Sequence, residues 1–312
     1  MGAVFGPVSS RRLGRSLGVD LVPLKTCSFD CLYCQAGRTT HKTTSPGEFI
    51  PVESVLEELE ARLKETNPDV VTFSGSGEPT LHTGIDRVIT KVKTITDTDV
   101  AVLTNGSLLW RPEVRERLRR ADMVMPTLSS VLDETFQRIH RPHESLDLQR
   151  ILEGLNRFRE VFHGSLNIEV VLLQGINDGD EEIEALAKAL EGISPDRIQL
   201  NTVVRPPASS EAVALDRGRL EAIRGFLGEK AEIIAGAPVS KERTESEDLT
   251  RTVFEMARRR SVRITDVADF LGLDTGTAED ILRSLIDRGD LLCREHDGMV
   301  YFSAVEGVSG TG

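Results

Sequence analysis

The chain has 312 residues, enough for one barrel-sized domain and a smaller one, and 39% are hydrophobic, an ordinary share for a globular protein. A net charge of -12 argues against general polyanion binding, which calls for clustered Lys and Arg. No apolar stretch approaches the roughly 18 residues of a helical membrane span, and 1–7 lack the basic start and apolar core of a leader, so the expected location is the cytoplasm, with no membrane partner.

The first fifty residues are locally basic, with Arg11, Arg12, Arg15, Lys25, Arg38 and Lys42 against Asp20, Asp30 and Glu48. This is either a solvated surface or a place where an anionic substrate group or an electron-donor protein docks. An apolar run over 17–24 leads into Cys27-Ser-Phe-Asp-Cys31-Leu-Tyr-Cys34. Three of the four cysteines thus fall within eight positions, too close for a disulfide framework and well placed to converge on one metal centre. Two centres are open at this point: a zinc site completed by His41, or a cubane iron–sulfur cluster on three thiolates with one iron left for a small molecule.

Apolar positions at helical spacing predict a helix over 51–65. A β-branched strand, Val70–Phe73, stops at the Gly-rich Ser74-Gly-Ser-Gly-Glu-Pro79, and a helix follows over 85–95. The unit repeats. Strands are expected at 100–103, ending at Thr104-Asn105-Gly106, at 123–125, ending at Pro126-Thr-Leu-Ser129, at 166–173, at 197–204 and at 231–234. Helices are expected at 112–119, 133–139, 148–162, 181–190 and 215–227. Alternating strands and helices predict an α/β fold with a parallel sheet, and a polar group after each strand predicts a partial or complete barrel. In such barrels the loops at the C-terminal ends of the strands carry the site. The cysteines, Glu78, Asn105, Ser129, Asn177, Asn201 and Arg205 are therefore expected at one mouth.

A charged linker is expected at 240–247, closing a first domain over 1–239. Helices follow at 249–257, to 271 with Thr265 as cap, and to 288 with Thr275 as cap; short strands at 291–293 and 300–302 flank His296-Asp-Gly298. Helix, helix, turn, helix, hairpin resembles a winged helix-turn-helix domain over 248–305, and 306–312 reads as a flexible tail. Its presumed recognition helix mixes Glu279, Asp280 and Asp287 with Arg283 and Arg288, which argues against duplex DNA. A module presenting a peptide or protein substrate, or a lid, fits better, while folded RNA stays open through the basic N-terminal region.

The C-x3-C-x2-C spacing with Tyr33 before the last cysteine resembles the signature of the radical S-adenosylmethionine (radical SAM) superfamily. Ser76-Gly77-Glu78-Pro79 resembles its Gly-Gly-Glu-Pro motif, with serine in place of the first glycine. The resemblance implies a [4Fe-4S] cluster on Cys27, Cys31 and Cys34, whose open iron chelates the amino and carboxylate groups of S-adenosyl-L-methionine (SAM). It further implies cofactor contacts at Tyr33 (adenine), at Ser76, Gly77, Glu78 and Pro79 (methionine amino group), at Asn105 and at Ser129 (ribose). Ser129 departs from the usual Ser-Leu-Asp-Ala-like segment, which removes the carboxylate that a proton transfer there would need.

Longer runs, Ser10 through Asp20, Phe73 through Leu81, Gly175 through Asp178 and Gln199 through Pro207, resemble an uncharacterised branch grouped with the wyosine (tRNA) biosynthesis radical SAM proteins. Those enzymes hold a second cluster on further cysteines. This chain has only Cys293 to spare, expected as a packed thiol, so their substrate does not carry over. Asn201 and Arg205 are candidate substrate contacts, Arg205 either as an oxyanion clamp or in an interdomain salt bridge. His140-Arg-Pro-His143 either lines the mouth or forms an exposed loop. The resemblance implies an enzyme, fed by a reductant of flavodoxin or ferredoxin type, that cleaves SAM to methionine and a 5'-deoxyadenosyl radical abstracting hydrogen from a small-molecule, peptide or RNA substrate. The alternative class is an iron-sulfur or zinc sensing winged-helix regulator.

Overall fold

The structure, a computed structural model, describes residues 2–10, 12–235 and 249–305. The expected linker at 240–247 and tail at 306–312 lie outside the described residues. An antiparallel hairpin opens the chain, β1 (Val4–Ser10) against β2 (Gly14–Val19), and a two-residue parallel ladder follows, β3 (Thr26–Cys27) beside β4 (His41–Lys42). Strands and helices then alternate through α1 (Val52–Glu65), β5 (Val70–Phe73), α2 (Ile85–Ile95), β6 (Asp99–Thr104), α3 (Pro112–Leu118) and β7 (Met123–Pro126). They continue with α4 (Asp133–His140), α5 (Leu148–Val161), β8 (Ser165–Val171), α6 (Asp180–Ile193), β9 (Arg197–Asn201), α7 (Arg217–Leu227) and β10 (Ala231–Ile233).

The strands join in the order β1-β2-β5-β6-β7-β8-β9-β10, and every pair from β2 onward is parallel. Central strands are covered on both faces; all four residues of β5 are buried, as its β-branched run demands. Each helix turns one apolar stripe inward, α2 with Ile85, Val88, Ile89 and Val92 at the i, i+3, i+4, i+7 spacing. The sheet is rolled. On a flat sheet β2 and β8 would lie four strand spacings apart, roughly 20 Å, beyond side-chain reach. Yet Arg12, on the loop after β1, brings its Nη1 to 3.1 Å from Glu169 Oε1 on β8. The two edges, β1 and β10, do not pair, so the barrel is partial.

Three departures from expectation have local causes. β1 carries Gly6-Pro7, which disguises it as a loop; its register slips between Phe5 and Val8, an irregularity that an edge strand tolerates. β8 stops at Val171 because Asn177 takes the Leu173 N–H on Oδ1 at 2.7 Å and donates to the Val171 carbonyl at 2.9 Å, turning the chain out of the ladder. Asn177 is thus a buried structural residue, outside the mouth.

Beyond the sheet come α8 (Leu249–Arg259), α9 (Ile264–Leu271), α10 (Thr275–Asp287) and a hairpin of β11 (Leu291–His296) with β12 (Met299–Ala304). They enclose their own core, built on Val253, Val267, Leu282, Leu285 and Phe302. The caps differ from those expected: Asp274 accepts the Thr277 N–H at 3.0 Å to start α10, and Asp266 accepts the Arg263 N–H at 2.9 Å at the start of α9. Asp297 (φ 48°) and Gly298 (φ 68°) form the two-residue turn that a twisted hairpin prefers. Cys293, expected to be packed, is exposed on β11.

Candidate active site

The cysteine loop is anchored by what lies between its thiols. Phe29 is buried edge-on against Phe136 at 5.7 Å, and Leu32 is buried with Ile139, Val171 and Leu173. Its backbone is stitched to the end of α4, Asp30 N–H to His140 O at 2.9 Å and Leu32 N–H to Ile139 O at 2.9 Å, while Thr43 N–H closes the base on Cys27 O at 2.9 Å. With both ends tied and the apolar residues turned inward, the three free thiols are only half-buried, and Cys27 and Cys34 line a cleft of about 630 Å³. Cys31 Sγ lies 3.4 Å from His140 Nδ1. Burial keeps that imidazole neutral, its pKa lowered to about 3, and its Nε2 finds no partner. Burial, then the nearby Glu78 carboxyl, pushes the Cys27 thiol up to about 12; burial raises Cys31 and Cys34 as well. Metal binding must therefore displace protons from all three.

The donor set fits a cluster better than a zinc ion. Thiolates around one zinc crowd about a single tetrahedral centre, whereas each thiolate of a cubane holds its own iron and the sulfurs stand farther apart. Among the described residues no group of three or more His, Cys, Asp or Glu is close enough to hold one ion. His41 is exposed on β4 and does not complete a Cys3His set, which corrects the zinc reading.

A second loop, after β5, interlocks with the first. Lys25 N–H donates to Ser76 O at 2.6 Å and Glu78 N–H to Thr26 O at 3.0 Å. Gly77 is where the two backbones meet: a Cβ there would stand 1.9 Å from the Thr26 carbonyl oxygen. Serine at 76 has a structural explanation, since its N–H and Oγ both donate to buried Asp20, at 2.8 and 3.0 Å, and Gly75 (φ +119°) leaves room for that carboxylate. Asp20 also accepts Arg259 Nε from α8 at 3.0 Å. Burial pushes the Asp20 carboxyl up, against the pull of Arg259 and Ser76.

Glu78 is fully buried yet lines the cleft. Its Oε1 accepts from Thr80 N–H at 3.0 Å and Thr104 Oγ1 at 2.6 Å, its Oε2 from Asn105 N–H at 2.7 Å. Burial raises its pKa, opposed by these donors. Asn105 Nδ2 donates to Ser28 Oγ at 2.8 Å and reaches Cys27 Sγ at 3.4 Å, so one residue joins both loops, its side chain to the cysteines and its N–H to Glu78.

Tyr33, Gly77, Glu78, Asn105, Asn201 and Arg205 do line the same cleft. Ser76 and Pro79 stand behind the loop, Ser76 engaged by Asp20 and Pro79 buried in a short turn. Ser129 is buried, its Oγ accepting the Val171 N–H at 3.1 Å, and it neighbours the Tyr33 side chain at the cleft wall. Arg205 Nη1 donates to Ser261 O and to Asp266 Oδ2, both at 2.7 Å, the geometry of the salt-bridge alternative. Asn201 Nδ2 is held by Glu169 Oε1 at 2.9 Å. Of the 140–143 segment, His140 is buried against Cys31, while Arg141 pairs with Glu211 at the surface. Sequence reasoning missed the roles of Asp20 and Glu169, paired Thr104 with Asn105 as a possible ligand contact, and named Arg12 only as part of the basic N-terminal region. Asp20 was signalled as the lone acid within the apolar 17–24 run; nothing marked Glu169.

Comparisons agree with this geometry. A profile of the radical SAM superfamily matches residues 21–190. A UPF0026 protein of Methanocaldococcus jannaschii is 33% identical over 312 residues, covering 97% of this chain and 96% of that one. The GTPase Obg of Brachyspira hyodysenteriae is 36% identical over 290 residues, but the chain spans only 43% of its length. Its GTPase name does not transfer, because the sequence contains no Gly-Lys pair for a phosphate-binding loop. Among solved structures, a radical SAM methyltransferase from Sphaerobacter thermophilus superposes with a TM-score of 0.54 at 19% identity, covering 70% of this chain and 66% of that one, a likeness of fold. The chain belongs to the radical SAM superfamily, whose members use a [4Fe-4S] cluster and SAM.

Proposed function

We propose that the protein binds its cluster through Cys27, Cys31 and Cys34, cleaves SAM reductively and removes a hydrogen atom from a substrate held in the cleft. The observation that carries this is convergence: Cys27, Cys34, Tyr33, Gly77, Glu78 and Asn105, from three separate strand ends, line one cavity. When bound, the cluster supplies the electron that splits SAM into methionine and a 5'-deoxyadenosyl radical.

The chain's own residues position and exclude. Asn105 steers Cys27, and the apolar anchors Phe29 and Leu32 hold the loop rigid. Glu78, already oriented by three neighbours, has lone pairs left for the methionine ammonium, and Gly77 lets that ligand approach the backbone. The β1–β2 hairpin and α8 wall the cavity against water, which a radical intermediate requires. The reductant is of flavodoxin or ferredoxin type, docking on the basic N-terminal region, in the cytoplasm. Residues 248–305 form a winged-helix-like module that serves as a wall of the site; a sensing regulator would leave the lined cleft without a role. Kinship with the wyosine branch rests on the shared runs and does not bring its substrate.

The test is anaerobic reconstitution with iron and sulfide, followed by dithionite and SAM and chromatography for 5'-deoxyadenosine. Product is expected from the wild type and none from Cys31→Ala; its absence from wild type with an intact cluster would overturn the reading.

A further inference from the structure

One cation in the cleft has no part in the cofactor arrangement. Arg12 sits on the β1–β2 loop, where Ser10 Oγ accepts both the Arg12 and the Leu13 N–H at 3.3 Å and ties the turn across the barrel mouth. The Arg12 side chain is 14% exposed and lines the cleft. Its Nη1 is buried 3.1 Å from Glu169 Oε1, but the angle is wrong for a hydrogen bond, and no other acceptor takes that proton. Glu169 is held by different donors, Asn201 Nδ2 on Oε1 at 2.9 Å and Thr127 Oγ1 on Oε2 at 3.4 Å.

A buried guanidinium N–H without an acceptor is rare in folded proteins, because water has been removed and nothing has replaced it. Here the side chain that carries it lines a chamber large enough for a ligand. Position separates this group from the residues assigned to the methionine end of SAM. Glu78 and Asn105 follow β5 and β6, whereas Arg12 meets β8, two to three strand spacings or roughly 10–15 Å away.

We propose that Arg12 anchors an anionic group, a carboxylate or a phosphate, of the substrate; this rests on the cleft being the reaction chamber of a radical SAM enzyme. A guanidinium forks such oxyanions in a fixed plane. Glu169 keeps the cation at the mouth, Asn201 and Thr127 hold Glu169 in turn, and the ligand takes guanidinium protons to which Glu169 makes no hydrogen bond.

Calorimetric titration of the full chain with inorganic pyrophosphate and with malonate tests this without the cluster. Saturable binding of one probe by the wild type is expected, and the probe that binds tells phosphate from carboxylate. Arg12→Gln should weaken that binding about tenfold or more, with Arg12→Lys between. Glu169→Gln should strengthen it several-fold by removing the competing charge, a gain that misfolding cannot imitate. SAM affinity of cluster-loaded Arg12→Gln should match wild type. No saturable binding of either probe, equal affinity in Arg12→Gln, or a loss of SAM affinity that places Arg12 on the cofactor carboxylate would each overturn the proposal. Failure of the wild type to cleave SAM would overturn the enzyme reading instead, and the titration distinguishes the two.

Discussion

The Arg205–Asp266 pair provides the sharpest energetic test of how the C-terminal unit is held. Both side chains are 8% exposed, with Nη1 and Oδ2 2.7 Å apart. Asp266 also accepts the Arg263 N–H at 2.9 Å and Arg263 Nη2 at 3.1 Å. Burial alone would push this carboxyl up; the Arg205 charge and the hydrogen bonds from Arg263 and Arg205 overcome it and hold the group well below the usual carboxylate range. Removing one partner of such a pair leaves the other charge buried, at a cost of about 3–5 kcal/mol. Asp266→Asn is therefore expected to lose ~3 kcal/mol at neutral pH, and Arg205→Met a similar amount. The double variant should lose less than the sum, with a coupling of about 2 kcal/mol. The sign with pH follows from the lowered folded value. The contribution is complete above the unfolded pKa of about 3.9 and is lost as pH falls through the folded value, so wild type and Asp266→Asn should converge in acid. Urea unfolding followed by circular dichroism measures all four chains. A loss under ~0.5 kcal/mol for Asp266→Asn, with additive effects, would refute the tether and return Arg205 to the role of a substrate clamp.

Other outcomes follow from the same contacts. Asp20→Asn should raise the SAM dissociation constant of the cluster-loaded protein by about tenfold, since it loosens the loop that carries Gly77 and Glu78; unchanged affinity would refute that link. Gly154→Ala replaces a poor helix former with the best one, yet should destabilise by about 1–3 kcal/mol in urea unfolding, because its Cβ would meet Trp110 N at 2.3 Å. His140, with its pKa lowered to about 3 by burial, contributes stability that is complete above the unfolded value and lost as acid protonates the unfolded chain first. In the iron-free chain, His140→Gln should thus flatten the fall in stability between about pH 6.5 and pH 4. Tyr301→Phe should cost about 1 kcal/mol by deleting the hydroxyl that donates to Val204 O at 3.0 Å, read by the same unfolding assay.

The alternation of β-branched runs with amphipathic helices made the parallel sheet legible, because period and length alone distinguish Val70–Phe73 from Ile85–Ile95. The cysteine loop was legible through spacing, and Glu78 through its place after a strand and its resemblance to a Gly-Gly-Glu-Pro motif. What stayed hidden depends on long-range pairing. β1 was masked by Gly6-Pro7, and nothing local in Ser129 or Asn177 tells a buried backbone partner from a cleft residue. Glu169 and Arg12 lie 157 positions apart and meet only because the sheet rolls, a distance over which no sequence period operates. The starts of α9 and α10 fell two residues and one residue before the expected threonines for a simpler reason: Asp266 and Asp274 outcompeted them as acceptors of the first-turn N–H groups.

The contact between Arg259 and Asp20 spans 239 residues and has a consequence for the order of biosynthesis. At ordinary translation speeds of roughly 5–20 residues per second, the loop of Gly77 and Glu78 and the cysteines emerge from the ribosome roughly 10–50 s before the arginine that steadies Asp20. The loop of Gly77 and Glu78 is thus synthesised long before Asp20, which holds it, receives its last partner.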